Sequence, residues 1–361
     1  MRKIFLLLLL IIGGISFATV RTVNNQTAGG AQFSTIQAAV DASANGDTIY
    51  VHSSPISYAT FSVTDKKLTI IGPGWAPDKQ IALQAIIDGC TLINSPAAGS
   101  PSGSELQGLV FNGPVNFAQS VFAGGSTVDN LRIIRCQFNN NIAFSVPTSN
   151  DLFEGCIFKE SVGFATFAGA GVAGATNVLF QNNLFFASGM LSNLIDNISN
   201  IRVDHNLFYG STSAVFPNSR FLTITNNIFI NRNVPSGLSS STFNNNITFL
   251  CGTPGNTPWA VNSNVDAGGN VANQSPQMVD EAAVEAGNSS PLLNFTIPNG
   301  PANNTGSDGK DMGLLFDATG SLNWANSRNS RIPRIFSMNI TTPTVSPGAN
   351  ISVTVDARKS N

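Results

Sequence analysis

The sequence predicts an all-β fold in which the chain coils into a solenoid. The main observation is a six-residue pattern that reads apolar, two variable positions, Asn or Cys, apolar, and then usually Phe. Six copies occur, at IIRCQF (133–138), FEGCIF (153–158), FQNNLF (180–185), VDHNLF (203–208), ITNNIF (224–229) and FNNNIT (243–248). Consecutive copies end 20, 27, 23, 21 and 19 residues apart. A constant pattern at variable spacing is typical of a solenoid, because insertions lengthen loops without disturbing the stack.

The composition agrees with this fold class and bounds the function. Gly occurs 33 times and Asn is abundant, and both residues tolerate the left-handed backbone angles of tight turns. Hydrophobic residues make up 42% of the 361 residues, which supplies a sizeable core. Charged residues make up only 11%, with a formal net charge of −2. That balance argues against a nucleic-acid partner, which needs clustered Lys and Arg.

Residues 1–18 have the layout of a cleavable export signal. Arg2 and Lys3 form a basic start, residues 4–12 are apolar, and Ser16-Phe17-Ala18 is a small-x-small cleavage site. The apolar run is too short for an ordinary membrane span, so we expect no stable span in the mature chain. The sequence therefore predicts a secreted, periplasmic or outer-surface protein.

Residues 19–47 are expected to form a first strand and a helix that caps the open end of the solenoid. Phe33, Ile36, Ala39 and Val40 fall on one helical face. Gly46-Asp47 then makes a turn into the strand 48–51. A cap is a physical requirement of the fold, because an uncovered edge strand invites pairing with other chains.

The solenoid itself is predicted over residues 48–317. Side chains alternate across a strand, so each copy of the pattern has two inward positions, one at its start and one at its closing Phe. The Asn positions, Asn183, Asn206, Asn227 and Asn246, should stack as a hydrogen-bonded ladder inside the core. Cys136 and Cys156 occupy the same position in earlier copies, and we expect free, buried thiols there. The sequence leaves the redox state of Cys90 and Cys251 open.

Two stretches resemble a known superfamily. QFSTIQAAVDASANGDTIYV (32–51) looks like the opening of pectin lyase-like proteins, and residues 264–316 resemble the closing coil of many secreted bacterial members. The resemblance covers roughly residues 31–317 and implies a single right-handed parallel β-helix. It departs from the family after residue 51, where HSSPISYATF replaces the usual Gly-Thr-Tyr and Tyr58 is the nearest match. Beyond the helix, residues 318–361 are expected to form a C-terminal extension or hairpin.

Pectate lyases also carry an Asp-His pair, so NIRVDHNLFYG (200–210) raises the question of catalysis. The candidate catalytic residues are Asp204 and Glu154, which share an outward column two rungs apart. A lyase would need calcium held by several carboxylates, and the repeat supplies no such cluster beside Asp204. We therefore expect no metal and no cofactor, with Ca²⁺ arising only under a lyase alternative. In the repeat alignment Asp204 and His205 are surface residues of an ordinary rung.

The outward face offers a second kind of site. Arg202, His205, Tyr209 and Phe186 could present aromatic faces and hydrogen-bonding groups to a sugar. The function we expect is an exported, non-catalytic monomer that binds a polysaccharide or a cell-surface glycan. One alternative is a polysaccharide lyase or glycoside hydrolase acting on acidic polysaccharide, and another is a purely structural surface protein. The loops at 96–105 and 163–175 are poor in titratable groups, which favours the non-enzymatic functions.

Overall fold

The structure, a computed structural model, describes residues 18–26, 30–76, 83–95, 99–119, 127–164, 174–195, 200–316, 322–327, 334–341 and 344–358. The predicted export signal therefore lies almost wholly outside the described residues, as do parts of the loops 96–105 and 163–175. Within the described part of the chain, every helix is too short or too polar to cross a bilayer.

The described chain forms a single parallel β-solenoid, which confirms the predicted all-β class. Sheet A has eleven strands: Val20–Val23, Thr48–Val51, Thr69–Ile71, Glu105–Gln107, Arg132–Ile134, Leu152–Glu154, Leu179–Gln181, Arg202–Asp204, Thr223–Thr225, Thr242–Asn244 and Val265–Asp266. Sheet B has eight: Ile86–Ile87, Val110–Phe111, Gln137–Phe138, Ile157–Phe158, Leu184–Phe186, Leu207–Tyr209, Ile228–Ile230 and Ile247–Phe249. Sheet C has six: Phe61–Thr64, Cys90–Asn94, Val115–Gln119, Ile142–Phe144, Val162–Phe164 and Leu191–Ser192.

Short elements complete the fold. The pairs Thr148–Ser149 with Ala175–Thr176 and Ser219–Arg220 with Leu238–Ser239 are parallel. The strands Arg334–Ile340 and Val353–Arg358 pair in antiparallel fashion within the predicted C-terminal extension. The helices are Ile36–Ala42, Glu281–Glu285 and Trp324–Ser327, with a 3₁₀ turn at Pro258–Ala260.

Both inward columns predicted from the repeat are confirmed. The first column runs in register through Ile133, Phe153, Phe180, Val203, Ile224 and Phe243. The closing Phe residues form the second column, in which the rings of Phe158 and Phe185 stack at 4.7 Å and those of Phe185 and Phe208 at 4.4 Å. These side chains are fully buried, so the repeated Phe supplies the continuous core of the solenoid.

The predicted Asn ladder is also confirmed, and it is one rung longer than expected. The amide Nδ2 of Asn183 donates to Oδ1 of Asn206 at 3.0 Å, and the same contact joins each later pair. The last member is Asn270, whose Oδ1 accepts from Asn246. Each ladder amide also bonds main-chain groups of the neighbouring turns, which satisfies polar groups inside a dry core. Cys136 and Cys156 continue the column as free, buried thiols, and Cys90 and Cys251 are free as well.

The residue before each ladder position turns the chain from sheet A to sheet B. It has a left-handed backbone in seven successive rungs, with φ between 51° and 65°: Gly108, Arg135, Gly155, Asn182, His205, Asn226 and Asn245. Gly, Asn and His adopt this conformation at the lowest cost, which explains the identity of most members. We call these seven residues the corner column.

The predicted cap covers the open end of the solenoid, although its helix is shorter than expected. It begins after Thr35, whose hydroxyl accepts from the amide of Ala38, and spans Ile36–Ala42. Phe33 lies before the helix and bridges to Val23. The side chain of Gln37 bonds both the amide and the carbonyl of Ser62, in the edge strand of sheet C. The cap therefore satisfies an edge that would otherwise be open.

A C-terminal arm, residues 274–316 with 322–327, returns along the outer face of sheet B. It buries a second hydrophobic cluster whose sheet side comprises Val110, Ile157, Leu184, Leu207, Tyr209, Ile228, Ile230 and Ile247. The arm contributes Met278, Val284, Phe295, Ile297, Ala302, Met312, Leu314 and Trp324. Sheet B is thus buried on both faces, which decides the environment of the candidate site.

Candidate functional site

Asp204 and His205 lie at the end of a sheet A strand and the start of a corner. Asp204 points away from the solenoid core, as the alternation predicts, but its expected surface position is wrong, because only 7% of the residue is exposed. Its carboxylate accepts from Thr225 Oγ1 at 2.8 Å, Asn226 Nδ2 at 2.9 Å and Gln181 Nε2 at 3.2 Å. The ring Nδ1 of His205 lies 3.0 Å from Asp204 Oδ1. These four contacts all come from residues of the same or adjacent rungs of the solenoid.

The expected surface position of His205 is also wrong, since only 2% of the residue is exposed. Its Nε2 lies 3.5 Å from Oδ1 of Asp308, a residue of the C-terminal arm. The left-handed corner at φ 52° turns the ring toward the arm instead of along the strand. Nε2 makes no hydrogen bond with any described residue, so His205 packs against the arm without bonding to it, and the buried ring has no open side for a substrate.

Neighbouring corner residues hydrogen-bond the main chain of the arm directly. Asn182 Oδ1 accepts from the amide of Leu315 at 2.9 Å, and Asn226 Oδ1 accepts from the amide of Ser307 at 2.7 Å. Asn245 Nδ2 donates to the carbonyl of Thr305 at 2.8 Å. The corner column thus binds the main chain of the arm over several rungs, and the Asp-His pair is one member of that contact.

The environment keeps Asp204 ionised. Burial raises the pKa of this carboxyl, but hydrogen bonds from His205, Thr225 and Asn226, with the favourable charge of His205, outweigh it and hold the pKa below its ordinary value. A carboxylate that is fully hydrogen-bonded and ionised suits a structural anchor. Within the described residues no group of three or more His, Cys, Asp or Glu side chains could hold a metal ion.

The other predicted binding residues are dispersed. Tyr209 is fully buried, and its hydroxyl donates to the carbonyl of Asn288 at 2.8 Å, so the expected aromatic surface is wrong there. Phe186 is half-buried with its ring 5.1 Å from that of Tyr209. Arg202 is exposed on the outer face of sheet A. No sugar can therefore contact these four residues together.

Glu154 and Asp204 do share an outward column, as predicted. The register pairs Glu154 with Gln181 and Gln181 with Asp204, so the two carboxylates are two rungs apart. The amide of Gln181 stands between them and donates to Asp204. The space that an attacking water would need is therefore occupied by a side chain.

The first turns of the solenoid form a groove that the repeat pattern did not indicate. It has a volume of about 340 Å³ and is lined by Thr22, Asn24, Tyr50, Val51, His52, Ser53 and Pro73. Tyr50 points outward from its strand and is half-buried, because its neighbour Val51 fills the core. His52 follows the strand end and lies half-buried beside Asn24, with 3.4 Å between Asn24 Nδ2 and His52 Nδ1.

The chemistry of this groove differs from that of the Asp204 network. The lining residues combine an aromatic ring and a Pro ring with hydroxyl, amide and imidazole groups. None of the described lining residues carries a carboxylate, an ammonium or a guanidinium group. A partly apolar concavity with a few uncharged hydrogen-bonding groups is suited to a small neutral ligand or one unit of a polymer.

The sequence contained a signal for the buried face but none for the groove. The sheet B strands LFF, LFY and IFI are apolar at every position, which is typical of strands covered on both sides. The groove depends on three separate segments around residues 22–24, 50–53 and 73, whose proximity follows only from the register of the first turns. No family model matches the chain, and no curated protein matches it.

Proposed function

We propose that the protein is an exported, non-catalytic β-solenoid that binds a glycan in the groove beside Tyr50 and His52. The observation that carries the proposal is the partly exposed ring of Tyr50 in a concavity whose other polar groups are uncharged. Sugars present apolar C–H faces and neutral hydroxyls, and an aromatic ring with nearby hydroxyl and imidazole groups matches both.

The state of the Asp-His pair supports a non-catalytic function. A general acid or base must come within hydrogen-bonding reach of its substrate. Asp204 and His205 are buried, and both are engaged by neighbouring turns or by the C-terminal arm. Cleavage of an acidic polysaccharide at this pair would require the arm to leave the corner column first.

The handedness of the solenoid, its superfamily, its export and its oligomeric state are part of the same proposal. We infer that the solenoid is right-handed and related to the pectin lyase-like superfamily. We also infer that the protein is bacterial, is exported and acts as a monomer. The cap helix Ile36–Ala42 supports the relation, since it matches the resemblance carried by residues 32–51. The basic and apolar opening of residues 1–18 supports export.

Glycan binding by the mature chain tests the proposal. An array of neutral and acidic oligosaccharides should show binding that Tyr50→Ala and His52→Ala each weaken by at least about tenfold, which corresponds to roughly 1.4 kcal/mol. Phe221→Ala is the matched control, because it removes a half-buried aromatic ring from a distant turn. Retained binding in both groove variants, or equal loss in Phe221→Ala, would exclude the groove as the binding site.

An absorbance assay for unsaturated sugar products distinguishes a polysaccharide lyase from a non-catalytic binding protein. We expect no product from polygalacturonate or alginate, with or without Ca²⁺. Product formation that disappears in Asp204→Ala would establish a lyase and overturn the non-catalytic proposal.

A further inference from the structure

The groove contains a side chain whose hydrogen-bonding direction is set by a neighbour. We propose that Asn24 holds the His52 ring in the tautomer with its proton on Nε2. The groove would then present a neutral N–H donor and take an uncharged sugar unit through a hydroxyl or ring oxygen. This inference rests on the proposed glycan binding and names the ligand class of the same site.

The orientation of the Asn24 amide follows from a second contact. Its Oδ1 accepts from the main-chain amide of Gln26 at 2.9 Å, so the oxygen side of the group is fixed by a donor. The nitrogen Nδ2 therefore faces Nδ1 of His52, at 3.4 Å. A donor facing Nδ1 requires that ring nitrogen to be an acceptor, which leaves the proton of the neutral imidazole on Nε2.

The backbone of His52 is held as firmly as its ring. Its amide donates to the carbonyl of Val23 at 2.9 Å, within the parallel ladder of the first turns. Its carbonyl accepts from the hydroxyl of Tyr58 at 2.9 Å, and Tyr58 is itself buried. With Nδ1 turned to Asn24, the opposite edge of the ring is left for a ligand, and no hydrogen bond within the described residues uses its Nε2.

Charge decides the class of sugar. Uronate or sulfate groups are usually bound by Arg or Lys, through charge-assisted hydrogen bonds. The described lining residues supply no such cation. Arg21, on the same first strand, is engaged by Asp47 at 3.3 Å. Asp47 in turn accepts from the amides of Thr19 and Ala44. An acidic polysaccharide would thus lose the hydration of its carboxylates without gaining an ion pair. A neutral polysaccharide has no carboxylates and avoids this cost.

The tautomer can be measured without any ligand. The chain has two histidines, so a long-range ¹H–¹⁵N spectrum of the labelled mature protein contains two imidazoles, and His52→Gln assigns them. For the neutral imidazole we expect the His52 proton on Nε2. Asn24→Asp places an acceptor opposite Nδ1 and should move the proton there. Asn150→Asp adds the same charge at an exposed corner far along the chain and should leave the spectrum unchanged.

Binding is then measured with cellohexaose, mannohexaose and hexagalacturonate as probes. We expect a neutral probe to bind, and Asn24→Asp to weaken it about tenfold because Nε2 becomes an acceptor, with no loss in Asn150→Asp. A proton on Nδ1 in the unaltered protein, or a spectrum unchanged by Asn24→Asp, would overturn the tautomer assignment while glycan binding stood. Preference for hexagalacturonate would overturn the neutral class. The predicted tautomer with no binding to any probe would overturn the proposed function and the ligand class together.

Discussion

Replacing Asp151 by Asn removes an acid from a position that is apolar in most other rungs. Equivalent inward residues include Leu131, Val178, Ile201 and Leu222, all buried. Asp151 is 2% exposed, and its Oδ1 accepts from the amide of Leu131 at 2.8 Å. Burial raises its pKa to about 7, although hydrogen bonds from Thr148 and Leu131 oppose the shift.

The hydrogen bonds around Asp151 suit a protonated carboxyl. The Thr148 hydroxyl lies 2.5 Å from the carbonyl of Val128 and also contacts Oδ2 of Asp151. One hydroxyl proton cannot serve two acceptors. A protonated Asp151 can donate to Thr148 while Thr148 donates to Val128, and an Asn amide at position 151 can do the same.

The magnitude follows from linkage. The folded-state pKa of about 7 lies above the ordinary value of 3.8, so the native state binds more protons between these values. Stability from this group is therefore complete below the unfolded-state pKa and is lost as pH rises toward the folded-state pKa. A shift of about three pKa units corresponds to roughly 4 kcal/mol. Relative to Asp151→Asn, the unaltered protein should lose that free energy of unfolding between about pH 4 and pH 8.

Urea denaturation followed by Trp fluorescence at several pH values measures this difference. Asp88→Asn, which alters an exposed acid near the start of the solenoid, is the control and should show no pH-dependent difference. A difference between Asp151→Asn and the unaltered protein that stays constant with pH would show that Asp151 is not protonated in the native state at neutral pH. So would a variant that is less stable at about pH 8, where the buried charge is expected to cost most.

Two further predictions concern the ladder and the arm. Asn206→Ala should lower the free energy of unfolding by about 3 kcal/mol, because it leaves buried partners on both neighbouring rungs unsatisfied. Asn139→Ala removes an exposed side-chain hydrogen bond to Asn112 and should cost under about 1 kcal/mol in the same urea assay. Asn226→Gly keeps the left-handed corner but removes the side chain that holds Ser307, so hydrogen exchange in residues 305–315 should quicken about tenfold. Asn150→Gly is the control, because the Asn150 side chain hydrogen-bonds Ser149 and Asn177 and no described residue of the arm, and it should leave that exchange unchanged. Equal acceleration in both variants would contradict the proposal that the corner column holds the arm.

The regular part of the solenoid could be predicted because it depends on local alternation. Val203 and Phe208 point inward for the same reason in every rung, and Asn206 has the same neighbours above and below. Free thiols at Cys136 and Cys156 follow from the same register. The pattern of one repeat therefore predicts which side chains of the next repeat point into the core.

The outside of the rungs could not be predicted from the repeat. Tyr209 points outward as expected, but the arm that buries it is far away in sequence, since the bonded residues Tyr209 and Asn288 are 79 positions apart. The path of such a segment depends on the whole outer surface and not on one rung. The all-apolar strands of sheet B showed that a cover exists, without showing which segment supplies it.

The Asp-His pair has a specific reason to look catalytic. His205 occupies a left-handed corner where its neighbours carry Asn, and Asp204 is the acid that its Nδ1 and the amide of Asn226 both need. Adjacent Asp and His in sequence thus reflect the packing of one corner, in which Asp204 fixes the His205 ring and Nε2 of that ring lies 3.5 Å from Oδ1 of Asp308 in the arm. The resemblance to a lyase motif arises from the same residue types used for another purpose.

The most direct test compares Tyr50→Ala with Asp204→Asn in one binding experiment on the mature protein. If the ligand binds at the first turns and Asp204 has a structural function, Tyr50→Ala should weaken glycan binding at least about tenfold. Asp204→Asn, which keeps the size and an acceptor oxygen, should stay within about twofold of the unaltered protein. Binding that survives Tyr50→Ala and disappears in Asp204→Asn would contradict a binding site in the groove and would indicate that the ligand binds at the Asp-His pair.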